Sequence, residues 1–174
     1  MRPSDDAQVV ARQEPFDAFY QREFRSVVGL AYALSGSRWA AEDLAQEAFL
    51  TAHRQWDRVG SYDSPGAWVR RVVTNMSVSL YRKRASEARA ITRIAWQRQE
   101  ALPELEPEDA GFWKHVRALP RRQAQALALH YLEDRPVAEV AEILQCSVST
   151  AKVHLHKGRR ALADRLGLDV GASQ

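Results

Sequence analysis

Lys152, Val153, His156, Lys157 and Arg160 recur at spacings that place them on one side of a helix. Cations and an imidazole gathered in this way suit phosphate oxygens and the acceptor edges of guanine. Ser149 and Thr150 lead the same polar face and can bond bases or phosphates. The adjoining face of the stretch SVSTAKVHLHKGRRAL carries Ala151, Leu155, Gly158 and Leu162 at steps of four, three and four. That face is small and apolar, built to pack. His154 and His156 are two apart and diverge on a helix, so they cannot share one metal ion. His53, His115 and His130 have no cysteine or acidic partner at ligand spacing. The chain has no Gly-rich phosphate loop and no nucleophile motif, so it is expected to be no enzyme, with no metal, no cofactor and no small-molecule substrate.

These residues need a scaffold, and PVAEVAEILQCSVSTAKVHL supplies one. It reads as a short helix, a tight connection and a longer helix. Val140, Ala141, Leu144, Cys146, Ala151 and Leu155 fall at the apolar contacts of a helix-turn-helix, with Ala141 and Ala151 small enough for a close crossing. Ser147 is expected to cap the second helix, whose leading half would enter a major groove. Gln145 takes the turn position where Gly is usual and must either adopt a left-handed conformation at some cost or use a different turn. Cys146 is expected to be a buried thiol. A solvated amphipathic helix would show the same cations, but not this correctly spaced partner helix.

Further helices are legible upstream. One runs from Phe16 to about Leu34 and stops near Gly36; Ser37 caps the next, which continues to about Trp56. After the turn-rich DRVGSYDSPG, Ser64 and Pro65 open a third helix whose Val69, Val72, Val73, Met76 and Leu80 form an apolar stripe running towards Arg84. Arg71, Asn75, Val78 and Arg82 form a second stripe, read as outward-facing, and Arg70, Arg71, Arg82, Lys83 and Arg84 have few acids nearby in sequence. Asn75 is a poor helix former with no local capping role. The segment EALPELEPED is acidic, broken by Pro103 and Pro107, and reads as a linker. Helices follow at Phe112 to Leu119, Pro120 to about Tyr131, Pro136 to Leu144 and Val148 to about Leu166, with Gly167 closing the last.

The fold class is therefore all-α, with two small helical domains joined by an acidic linker. The expected boundaries are a tail at 1–12, a first domain at 13–88, a linker at 89–109, a second domain at 110–168 and a tail at 169–174. The 174 residues are 45% hydrophobic, carry a formal charge of +3 and have pI ≈ 9.2, ordinary for a globular chain with local basic clusters. Cys146 is the single cysteine, so no intramolecular disulfide forms. The opening MRPSDDAQVV has acids where a signal peptide needs bases, and VVGLAYAL is too short to span a bilayer. A soluble cytoplasmic protein is expected.

With both halves in view, the chain resembles the extracytoplasmic-function class of bacterial RNA polymerase sigma factors in the sigma-70 superfamily, of the actinobacterial SigE-like kind. AAEDLAQEAFLTAHRQW and GAWVRRVVTNMSVSLYRKR resemble its region 2, and LPRRQAQALALHYLEDRPVAEVAEILQCSVSTAKVHLHKGRRAL resembles its region 4. The helix-turn-helix alone is shared by many regulators. The ordered pair is specific.

The resemblance implies an alternative sigma factor that binds core RNA polymerase, directs it to promoters and assists their opening. Asp43, Gln46, Glu47 and Leu50, one stripe of the second helix, would dock on the coiled coil of the β′ subunit. Arg71, Asn75, Arg82, Lys83 and Arg84 would contact the −10 strand, with Tyr62 stacking on a base held by the loop Val59 to Gly66. Tyr62 as a plain exposed loop aromatic is the competing reading, and Trp68 reads as a core anchor. Ser149, Thr150, Lys152, Val153, His156, Lys157 and Arg160 would read the −35 element, while the helix from Pro120 to Tyr131 would rest on the β flap. The partners implied are core polymerase, promoter DNA and an anti-sigma protein. A helix-turn-helix regulator that binds duplex DNA without polymerase is the alternative.

Overall fold

Left-handed residues mark where this chain turns. Gly36 has φ 75° and ends α1 (Phe16–Ser35), its N–H donating to the carbonyl of Tyr32. Ser37 accepts from the Ala40 N–H and opens α2 (Arg38–Arg54), which is followed by the short α3 (Trp56–Val59). Ser64 accepts from the Ala67 N–H, Pro65 takes the first helical position, and α4 spans Pro65–Thr92. The second half comprises α5 (Ala110–Arg117), α6 (Arg121–Leu127), a π-helical turn (Ala128–Leu132), α7 (Val137–Leu144) and α8 (Val148–Leu166). The computed structural model describes residues 14–92 and 110–168, and among them no strand occurs. The expected tail at 1–12 and most of the expected linker lie outside the described residues.

Several element boundaries differ from expectation. The third long helix continues past Arg84 to Thr92, because Ser86 and the residues around it offer no breaker. The helix expected to run unbroken from Pro120 changes to π geometry at Ala128, where the Glu133 N–H reaches the Ala128 carbonyl at 3.3 Å. Pro120 and Pro136 stand just before α6 and α7 with extended ψ instead of inside the first turn. Gln145 is left-handed at φ 53° as the turn requires, and Asp134 matches it at φ 51°. Cys146 is half-buried, not fully enclosed.

In the first bundle α1, α2 and α4 pack on one another through Val27, Leu30, Ala41, Ala45, Ala48, Val69 and Val73, all buried. Alanines on α2 bring the helix axes close. An aromatic group (Phe16, Phe19, Phe49 and Trp56) closes one end, and the Trp56 indole donates to the Glu14 carbonyl at 3.2 Å. In the second bundle α8 lies on α6 and α7 with Ala151, Leu155, Gly158 and Leu162 inward, as the spacing predicts. A Cβ at Gly158 would stand 3.1 Å from Leu127 Cδ1 and 3.3 Å from Gln123 Cβ. The missing side chain is what lets α6 and α8 meet.

The bundles also meet each other, through α1 and α4 on one side and α5, α6, α7 and the π-helical turn on the other. Arg70 lies at the centre with only 2% of its side chain exposed. Its Nε donates to Glu133 Oε2 at 2.5 Å, its Nη1 to Glu23 Oε2 at 2.7 Å and its Nη2 to Ser26 Oγ at 3.1 Å. Ser26 Oγ donates in turn to Glu133 Oε1. Arg117 donates to the Ala33 carbonyl at 3.0 Å and covers Gly36, placing a cation at the α1 C-terminus where the helix dipole favours it. These contacts correct two expectations. Arg70 has carboxylate partners distant in sequence, and the Arg71, Asn75, Val78, Arg82 stripe faces the second bundle over part of its length, with Val78 buried.

Burial pulls the Glu23 carboxyl upward, but hydrogen bonds and charge from Arg70, then Arg22, outweigh it and hold the group below its ordinary value. A carboxylate depressed by folding adds stability above its unfolded pKa and loses it as pH falls through the folded one. Denaturant unfolding across the acid range should show Glu23→Gln less stable than the parent at neutral pH and the two converging in acid. A pH-independent gap would contradict an ionic role. Separately, Gly158→Val should lower unfolding stability by about 1–3 kcal/mol through overpacking against Leu127, read as a drop in the denaturant midpoint. An unchanged midpoint would show that the α6–α8 contact has slack.

Candidate nucleic-acid interface

The face of α8 opens to solvent along its whole length. Ser149, Thr150, Lys152, Val153, His156, Lys157 and Arg160 are all exposed, and Arg159 adds a further cation. The Ser147 hydroxyl accepts from the Thr150 N–H at 3.1 Å and lies 2.8 Å from the hydroxyls of Ser149 and Thr150, which fixes the first turn. His154 is turned partly inward. Burial first, then the charges of Arg122 and Lys157, lower its pKa, so its imidazole is neutral near pH 7. Lys152, Lys157, Arg159 and Arg160 give this face its positive character.

On the first bundle, the loop after α3 and the start of α4 enclose a cleft of about 490 Å³ lined by Ser61, Tyr62, Asp63, Ser64, Ala67, Trp68 and Arg71, with Glu142 of α7 at its edge. Tyr62 and Arg71 thus share one concavity, large enough for a base. Trp68 lines the cleft and also packs against the core, so its anchoring role and a binding role coincide. Asn75 is not free as its sequence position suggested. Its Oδ1 accepts from Arg121 Nη2 and from Gln125 Nε2, the latter at 3.3 Å, and Gln125 is fully buried. Arg82, Lys83 and Arg84 are exposed further along α4, with Lys83 4.0 Å from Glu87. The structure therefore brings Tyr62 and Arg71 together, gives Asn75 a partner across the bundles, and leaves the three later cations on the surface.

Asp43, Gln46, Glu47 and Leu50 are all exposed on α2. Leu50 is 50% exposed, and Trp39, 72% exposed, lies on the same stripe one turn before Asp43. Trp39 was missed by sequence reasoning, although a Trp beside Ser37 at a helix start, outside the inner-face alanine register, is the signal that could have found it. The stripe sets two large apolar groups around carboxylate and amide groups, a pattern suited to a protein partner. A second surface unclaimed by sequence reasoning is a narrow apolar groove of about 220 Å³ on the second bundle, where Phe112, Trp113, Leu127, Tyr131, Leu166 and Leu168 converge. Tyr131 belongs to the element expected to rest on a protein; Phe112, Leu166 and Leu168 widen that surface.

Residues 19–87 match the family Sigma-70 region 2 and residues 113–162 match Sigma-70, region 4. The chain is 28% identical over 151 residues to the ECF RNA polymerase sigma factor SigW of Bacillus subtilis (strain 168), covering 79% of this chain and 81% of the relative. It is 31% identical over 150 residues to the ECF RNA polymerase sigma factor EcfG of Rhodopseudomonas palustris (strain TIE-1), covering 83% and 81%. Among solved structures, the sigma factor RpoE in complex with the anti-sigma factor NepR from Bartonella quintana aligns with a TM-score of 0.65 over 88% of this chain and 98% of that one, at 23% identity. That last likeness is one of fold.

A cation that pairs with a backbone phosphate releases counterion from duplex DNA. Replacing Lys152, Lys157 or Arg160 singly by Ala should reduce the log–log salt slope of duplex binding by roughly one unit per residue that touches phosphate. Titrations at several salt concentrations measure this, and an unchanged slope in all three variants would place the DNA elsewhere.

Proposed function

The chain belongs to the extracytoplasmic-function class of RNA polymerase sigma factors in the sigma-70 family, and on that premise we propose how its surfaces divide the work of starting transcription. It is an alternative sigma factor that directs RNA polymerase in transcription initiation. The α8 face takes the −35 element in the major groove, led by Ser149 and Thr150 and held by Lys152, Lys157 and Arg160 on phosphates and guanine edges. The observation that carries this reading is the unobstructed polar face of α8 set on a helix-turn-helix whose inner face is fully packed.

The first bundle takes the −10 strand once it is unpaired. An extruded base enters the Ser61–Arg71 cleft and stacks on Tyr62, while Arg71 and Asn75 hold the strand and Arg82, Lys83 and Arg84 draw in its phosphates. Opening needs no chemical step; it draws on the binding energy of the unpaired strand. Trp39, Asp43, Gln46, Glu47 and Leu50 dock on the β′ coiled coil, and the apolar groove of the second bundle receives the β flap. The relative RpoE is complexed with an anti-sigma factor, and a controlling protein of that class is proposed for this chain too. No described helix is long and apolar enough to cross a membrane, and a place beside cytoplasmic polymerase is the proposed location.

Run-off transcription with core polymerase and a fragmented genomic promoter pool tests the function. Transcripts that depend on the added chain are expected, lost with Arg71→Ala/Asn75→Ala or Lys152→Ala/Lys157→Ala. Absence of chain-dependent transcripts, with footprints on duplex DNA unaided, would favour a free-standing regulator. Trp39→Ala and Leu50→Ala should each weaken core binding by about ten- to a hundredfold if they are the centre of the docking stripe. Unaltered affinity in a pull-down titration would remove Trp39 from it.

A further inference from the structure

We propose that Val153 makes this protein a reader of thymine: its exposed isopropyl group meets the C5 methyl of one thymine in the major groove of the −35 element. The inference deepens the assignment of α8 to that element and rests on it.

Val153 has no task within the fold. It is 47% exposed, and among the described residues it belongs neither to the buried core nor to the apolar side chains packed against it. The inward face of α8 is filled without it by Ala151, Leu155, Gly158 and Leu162. A β-branched residue loses side-chain freedom in a helix, so an exposed valine gives α8 nothing that alanine or leucine would not give better. Its neighbours on the helix surface, three and four residues away, are Ser149, Thr150, His156 and Lys157, all exposed and all polar. Val153 is thus a single apolar spot ringed by groups that bond to water.

Position and reach decide what that spot can touch. Ser149, Val153, Lys157 and Arg160 follow at steps of four, four and three, so Val153 lies midway along the stripe that faces the groove. Lys152, Lys157 and Arg160 are long enough to reach outward to phosphates. A valine side chain is short, held in essentially one rotamer, and meets only what lies directly beneath the helix, a base edge. The major-groove edges of the bases carry donors and acceptors with one apolar exception, the thymine methyl. Against any other edge Val153 would strip water from a polar group and return no hydrogen bond. Against thymine it buries methyl on methyl. Val148, the other exposed valine of α8, is 45% exposed and five residues earlier, about 140° round the helix axis, so the two do not share a side.

The test uses holoenzyme assembled from core polymerase and the full chain, on the promoter fragment it selects from the genomic pool. Each thymine on either strand of the upstream protected segment is replaced in turn by deoxyuridine, which removes the methyl group and leaves every hydrogen-bonding group in place. The parent should lose about three- to fivefold in affinity at one position, the size expected for one buried methyl. Val153→Ser should bind the thymine and uracil fragments alike, and Val148→Ser should keep the parent's difference. Val153→Gln, a better helix former, carries the test by the same criteria if Val153→Ser loses helicity. A protected segment without thymine, or equal binding by the parent at every thymine, overturns the proposal. A difference that survives in Val153→Ser or vanishes in Val148→Ser overturns it too. Lys152→Ala/Lys157→Ala separates these failures from a wrong assignment of α8. Weakened binding in that variant keeps the −35 assignment and removes only the methyl contact, whereas undiminished binding removes the assignment itself.

Discussion

A guanidinium cut off from water must find carboxylates, and Arg70 finds one on each side of the junction between the bundles. Burying an isolated charge costs several kcal/mol even after relaxation, so Arg70 can be enclosed only where Glu23 and Glu133 converge. That requirement fixes three things at once. The α1 helix must present Glu23 and Ser26 on the side facing α4. The π-helical turn must end so that Glu133 projects towards α4, with left-handed Asp134 turning the chain away immediately afterwards. And α4 must keep its early cations on the junction side, since Arg70 and Arg71 are neighbours. The placement of Asn75 and Val78 against the second bundle accompanies this one enclosure.

Within each bundle the packing has another character. The inward faces are alanine, valine and leucine with almost no polar intrusion, and close crossings depend on residues such as Ala45 and Gly158. Between the bundles the buried groups include Arg70, Gln125 and Thr74, and the hydrogen bonds run through side chains. Apolar burial is indifferent to angle and tolerates small shifts, whereas these charge-assisted bonds hold over a few tenths of an ångström and fail together. The bundles are therefore the lasting units.

Most of the bundle architecture was legible in the sequence because it depends on neighbours. Ser37, Ser64 and Ser147 cap within three residues, Gly36 and Gly167 end helices through their own φ, and three- and four-residue periodicity identified the inward faces of α2 and α8. The α8 surface was legible for the same reason. The α4 surface was legible only in part. Periodicity places Arg71, Asn75, Val78 and Arg82 on one face, but a face turned to solvent and a face turned to another bundle have the same spacing. Arg70 and Glu133 are 63 residues apart, and nothing in either segment announces the other. Asn75, unexplained as a helix former, gained its explanation from Arg121, 46 residues away. The change to π geometry after Leu127 likewise has no local signature, since Ala128, Leu129 and Leu132 are good α-helix formers.

The two cationic surfaces are built in different ways. On α8 the cations Lys152, Lys157, Arg159 and Arg160 stand in solvent, where salt weakens their mutual repulsion. On α4 and α6 the fold brings cations together: burial first, then the charges of Arg122 beside it and Arg82 across the junction, lower the pKa of Arg121. Contact between the bundles thus sets the attraction of Glu133 for Arg70 against the repulsion of these guanidinium groups.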